Sequence, residues 1–200
     1  LHLCNKNMEK MGRTSTTKHD LLAEVCLAAK FEAQSLIRDH PQYQEKYGDS
    51  GFTTCTMLAR SFADIGDIVR GRDLYSGNTK EKEKRKQLDD KLKKIFGDIY
   101  NEVMRGKNGE LKTRYKDTTN FFQLREDWWT ANRHTVWKAM TCSDDLKDAS
   151  YFRVTCSDSH RIGTFSQANK YCRCNGDKPG NDKANTDPPT YFDYVPQYLR

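Results

Sequence analysis

The residues best suited to hold a metal are Cys156, His160, Cys172 and Cys174. Thiolate and imidazole are zinc's preferred ligands, but structural zinc sites bring their cysteines in pairs two to four residues apart. The spacing C-x3-H-x11-C-x-C does not match that habit. Disulfides account for these cysteines better, and no cofactor is expected. Acid–base chemistry finds little support. His134 lies on a helical stretch with Asp127 and Trp129, where a histidine reads as solvated, and His19, His40 and His160 fall in caps or loops. No GxSxG, HExxH or glycine-rich phosphate loop is present, so the sequence is not that of an enzyme.

The densest charge lies between Lys80 and Lys94, with eight Lys/Arg against four Asp/Glu. Lys82, Lys84, Arg85, Lys86, Lys91, Lys93 and Lys94 form a candidate surface for sulfate or phosphate groups. Glu81, Glu83, Asp89 and Asp90 dilute its field. Asp64 and Asp67, inside the apolar "ARSFADIGDIVRGRDLY" (59–75), read as a polar helix face or as caps for neighbouring loops. Gly66 between them costs a helix about 1 kcal/mol relative to alanine, which implies a close backbone crossing there. Trp128, Trp129 and Trp137 read as helix packing rather than a sugar-stacking platform.

Helical periodicity supplies the elements that position these groups. Asp20 is a plausible N-cap for a helix with Leu21, Leu22, Val25, Ala28, Ala29, Glu32 and Leu36 on one stripe, ended by Pro41. A loop follows to residue 53. Cys55, Leu58, Phe62, Ile65 and Val69 step by three and four and define a second helix. A third runs from about Thr79 to Met104, a polar connector covers 105–119, and a fourth, aromatic helix runs from Phe121 to Met140. Beyond Cys142 the chain turns irregular, and "YFDYVPQYLR" looks like the entry to another helix.

The 200 residues suit one ordinary domain or two small ones. The start at Leu1 reads as a piece cut from something longer, and no apolar run is long enough to span a bilayer. The net charge of +6 fits a sulfated sugar or an acidic protein, whereas nucleic acid fits poorly without a recognition motif. Seven cysteines point to an oxidising compartment. Composition and periodicity together give a mainly α, disulfide-linked helical bundle with long irregular loops.

Four motifs go further: "CTMLARSFADIGDIVRGRDLY" (55–75), "LREDWWTANRHTVWKAMTC" (124–142), "FRVTCSD" (152–158) and "DPPTYFDYVPQYLR" (187–200). In this order, with "LHLCNKNMEKM" at the start, the sequence resembles the Duffy-binding-like domains of malaria-parasite adhesins, most of all the alpha class of the variant erythrocyte membrane protein antigens. The resemblance implies a three-subdomain fold. Residues 1–53 would be the end of the first subdomain with its first helix, 54–190 the second subdomain, and 191–200 the start of a third that is otherwise absent. In that fold the FADIGD helix is scaffold packed on the WW helix.

The implied function is adhesion. The module would belong to a larger membrane-anchored protein on the extracellular face of the infected erythrocyte, with no membrane insertion of its own. Its partners would be a host cell-surface receptor or glycan (heparan sulfate, blood-group sugar or complement receptor, associated with rosetting) and host antibodies. The alternative is a structural spacer in a multidomain antigen whose neighbours bind the receptor. The resemblance also implies a Cys55–Cys156 bridge. Cys26, Cys142, Cys172 and Cys174 then form two more, either Cys26–Cys172 with Cys142–Cys174 or the crossed pairing, and Cys4 stays unpaired in this fragment.

Overall fold

The structure, a computed structural model, describes residues 17–48, 52–74, 77–105, 109–157, 164–184 and 186–200. Helix accounts for 63% of it, so the fold is mainly α as expected. The helices are α1 (Lys18–Tyr47), α2 (Thr54–Arg70), α3 (Thr79–Met104), α4 (Gly109–Arg114) and α5 (Phe122–Met140).

The cap of α1 is Thr17, three residues before the expected Asp20. Thr17 and Asp20 form a capping box: Thr17 Oγ1 accepts from the Asp20 amide and the Asp20 carboxylate accepts from the Thr17 amide at 2.9 Å. Pro41 does not end α1, as its missing N–H predicts; the helix continues to Tyr47. A proline inside a helix costs about 3 kcal/mol, and contacts on both sides of it hold the last turns. His40 is buried with Nδ1 against Thr54 Oγ1, and Gln44 Nε2 donates to the Phe52 carbonyl.

The core is continuous across α1, α2, α3 and α5. The predicted α2 stripe of Cys55, Leu58, Phe62, Ile65 and Val69 is buried throughout. It meets Leu21, Val25, Ala28, Ala29 and Ala33 of α1 in one apolar cluster. Glu32, on that same α1 stripe, is only 3% exposed because it accepts from Ser61 Oγ of α2. Phe62 packs on Trp129 and Trp137, with ring centroids 5.1 and 5.2 Å apart. Trp128 points the other way, edge-on to Phe96 of α3. All three tryptophans are core residues.

Helix α5 begins without a side-chain cap. Phe121 takes a left-handed backbone, φ 57°, and drops its ring beside Tyr100. Asp117 replaces the missing cap by accepting from the Thr119, Asn120 and Phe122 amides. Within the predicted connector, α4 is clamped to α5: Arg114 makes two 2.7 Å bonds to Asp127, which also accepts from Tyr115 and Gln123.

The chain after α5 is irregular except for an antiparallel pair, β1 (Val154–Ser157) and β2 (Phe165–Gln167). The C-terminal segment forms two short 3-10 turns, Phe192–Tyr194 and Gln197–Leu199, rather than the start of a regular helix. The disulfides correct the implied map. Cys55 pairs with Cys172 and Cys156 with Cys174, while Cys26 and Cys142 are free thiols. The 170–173 turn selects these partners. Tyr171 and Cys172 both adopt positive φ, and their amides bond to the Leu146 and Ala149 carbonyls. Together with the Trp137 Nε1 bond to the Cys172 carbonyl, this holds Cys172 in the core, where it meets the first turn of α2. Cys4 lies outside the described residues.

Candidate functional site

The polar residues inside α2 hold the C-terminal segment. Asp67 is 5% exposed and accepts from Arg70 Nη2 at 2.9 Å. Arg200 reaches back to both α2 carboxylates, Asp64 at 3.0 Å and Asp67. Burial pushes the Asp64 carboxyl above its ordinary value. Arg70, itself buried, donates to the carbonyls of Gly66 and Asp193. On the facing side the Asp193 carboxylate accepts from Trp129 Nε1 at 2.9 Å and from Arg133 at 2.8 and 2.9 Å. A buried charge survives only when paired and hydrogen-bonded, and each of these is. Asp64 and Asp67 are therefore clamps for a distant segment rather than a solvated face.

At Gly66 the close approach comes from a side chain instead of a backbone: a Cβ there would stand 2.8 Å from Cζ2 of Trp129. The sequence reading missed Arg70, Arg125, Arg133, Arg173 and Asp193, all buried. The aspartate in "YFDY", flanked by aromatic residues, is the one local signal of this network.

The basic helix divides in two. Residues three, four and seven apart share a helical face. Lys82, Arg85, Lys86 and Lys93 thus lie with Asp89 on the side toward the end of α2, whereas Lys84, Lys91 and Lys94 lie on another. Lys82, Lys84, Lys86 and Lys94 are exposed. Arg85 turns inward to Asp73 at 3.0 Å, and Lys93 pairs with Asp89 at 3.0 Å. The seven cations are one helix but not one surface.

Where the first face meets α2 there is a cavity of about 180 Å³. Ile68, Gly71 and Asp73 line one side, and Arg85, Lys86, Leu88 and Asp89 the other. Behind it Arg125, 0% exposed, bonds Asp89 at 2.9 Å and the carbonyls of Ile68 and Val69. Gly71 closes α2 in the left-handed conformation, and a Cβ there would stand 2.8 Å from Arg125 Nη1.

The remaining candidates do not converge. His134 is half-buried, and burial with nearby Lys138 lowers its pKa. His160 lies outside the described residues. Cys172 and Cys174 are consumed in different disulfides, and no group of three or more metal-ligating side chains occurs among the described residues. No described helix is long and apolar enough to cross a membrane.

A family profile described as the Duffy binding domain matches residues 1–200. Among solved structures, the chain is similar to the NTS-DBL1(alpha-1) domain of Plasmodium falciparum membrane protein 1 (PfEMP1) from the varO strain. The identity is 37% and the TM-score 0.69, over 99% of this chain and 40% of that one. An ICAM-1-binding PfEMP1 DBLbeta domain is 32% identical with a TM-score of 0.56, over 91% of this chain and 34% of that one. A PfEMP1 DBLb domain solved bound to human ICAM-1 is 26% identical with a TM-score of 0.58, over 99% of this chain and 36% of that one. The chain thus spans less than half the length of these relatives. No curated protein matches it.

Proposed function

Because this chain belongs to the Duffy binding domain family, we propose that it is a host-receptor-binding adhesion module of a parasite variant surface antigen. The observation that carries the reading is that two related PfEMP1 domains are an ICAM-1 binder and a domain solved with ICAM-1 bound. By the same likeness the module acts on the extracellular face of the infected erythrocyte, within a larger membrane-anchored protein. Residues 1–53 are taken as the end of the first subdomain, 54–190 as the second and 191–200 as the start of the third. The chemistry performed is recognition rather than catalysis.

The exposed lysines of α3 favour an anionic partner, and heparan sulfate is the first to test. Rosetting, with blood-group sugar or complement receptor as partner, and binding of host antibodies stay within the same proposal. The test presents the intact domain to red cells, immobilised ICAM-1, a glycan array and a heparin column. Salt-reversible heparin retention supports the glycan reading, because exposed charge is screened within about 8 Å at physiological ionic strength. Charge reversal at Lys82, Lys84 and Lys86 should advance elution with helicity unchanged. Unaltered elution moves the site elsewhere, and failure on every surface favours a structural spacer between binding neighbours.

A further inference from the structure

We propose that the cavity between the end of α2 and the start of α3 is a sugar subsite that seats one pyranose ring bearing a sulfate or carboxylate group. The inference rests on the reading of α3 as a glycan-binding face and assigns a defined ligand unit to one part of it.

The cavity's size sets the first limit. Its 180 Å³ equals the liquid-volume share of about six waters, too small for a drug-sized ligand and suited to a single ring. Its lining sets the second. Ile68 and Leu88 give an apolar surface for the C–H face of a sugar. Asp73 and Asp89 stand on either side as carboxylates, which accept hydrogen bonds and donate none when ionised. Hydroxyl groups are the complementary donors. Lys86 on the lining and Lys82 one turn earlier place cations at the mouth for the anionic substituent.

The acceptors are fixed before any ligand arrives. Asp73 is held by Arg85 at 3.0 Å and by Gln197 Nε2 at 3.1 Å. Asp89 is held by Arg125 at 2.9 Å and Lys93 at 3.0 Å. Burial opposes ionisation of Asp89, and the bonds from Lys93 and Arg125 outweigh it, leaving its pKa below the ordinary value. Arg125 is anchored in turn to two α2 carbonyls, so the wall is rigid and binding orders few groups. A bare polyanion gains nothing from these acceptors, because it has no hydroxyl to donate and the carboxylate charge is already met by Arg85, Arg125 and Lys93. A hydroxylated ring with one anionic group gains from both the acids and the lysines.

The test uses the intact domain, a heparin-derived tetrasaccharide and, as a sugar-free polyanion, polyphosphate. Hydrogen exchange is followed in peptides covering 68–74 and 85–92. The tetrasaccharide should protect both peptides several-fold and polyphosphate neither. Protection confined to 80–86 by both probes overturns the subsite while leaving the basic face in place; no protection anywhere overturns both. Asp73→Asn separates the two by sign. Removing a carboxylate strengthens purely electrostatic retention, whereas the subsite requires the tetrasaccharide to bind several-fold more weakly. Tighter binding overturns the proposal, with thermal melting as the control for folding.

Discussion

Gly66 lies beneath the indole of Trp129, with 2.8 Å from its would-be Cβ to Cζ2. This pair sets how closely α2 and α5 approach. Gly66→Ala gains about 1 kcal/mol of helix propensity but forces a fully buried ring off its seat, at about 1–3 kcal/mol. The expected net is a loss of about 0–2 kcal/mol in urea unfolding. A variant more stable than the parent would contradict the close approach.

Asp193→Asn keeps the volume and removes the charge that Arg133 faces. Breaking one side of a buried pair costs about 3–5 kcal/mol, and Asp193 is 1% exposed. The variant should unfold at markedly lower denaturant, and limited proteolysis should release the C-terminal segment first. Replacing Arg133 by Met in the same chain should recover part of the loss, because no unpaired charge remains.

Non-reducing peptide mapping should recover Cys55–Cys172 and Cys156–Cys174. In the chain-entropy view a loop of about 100 residues is worth about 4.7 kcal/mol and one of about 15 residues about 3 kcal/mol. Reducing the first bridge should therefore cost more. Cys142 is exposed and should alkylate in the folded state, whereas burial pushes the Cys26 thiol up to about 11 and should slow its reaction. A Cys55–Cys156 peptide would sink this map.

Acid should loosen α4 before the core. Hydrogen bonding from Arg114 holds the Asp127 carboxyl below its ordinary value, helped by Tyr115 and Gln123. A carboxyl with a lowered folded pKa stabilises above its unfolded pKa, and that stability is lost as pH falls through the folded value. Amide exchange in 109–115 should accelerate at pH below about 4, and in Asp127→Asn it should already be fast at neutral pH. Parent-like protection in that variant would contradict the clamp.

The helices were legible because their stripes are apolar and regular. Cys55 to Val69 and the bounds of α3 follow from spacing alone. The end of α1 was misread because Pro41 is a local signal, overridden by contacts with Thr54 and Phe52 that are distant in sequence. The roles of Asp64 and Asp67 were hidden for the same reason, since their partner Arg200 lies more than a hundred residues away. The α3 lysines were visible as a run. Their division into two faces, and the inward turn of Arg85, depend on Asp73 and Asp89.

The Cys55–Cys172 bridge also fixes how the module behaves under tension. The bonded cysteines are 117 positions apart, a stretch that fully extended would span about 400 Å. With the bridge intact that length is withheld, so a pull on the chain passes through one covalent bond rather than through α3, α4 and α5. Arg200 grips α2 through Asp64 and Asp67. A pull from that end therefore meets ion pairs first and the disulfide behind them. Oxidised, the module acts as a short tether; reduced, it becomes a long and compliant one.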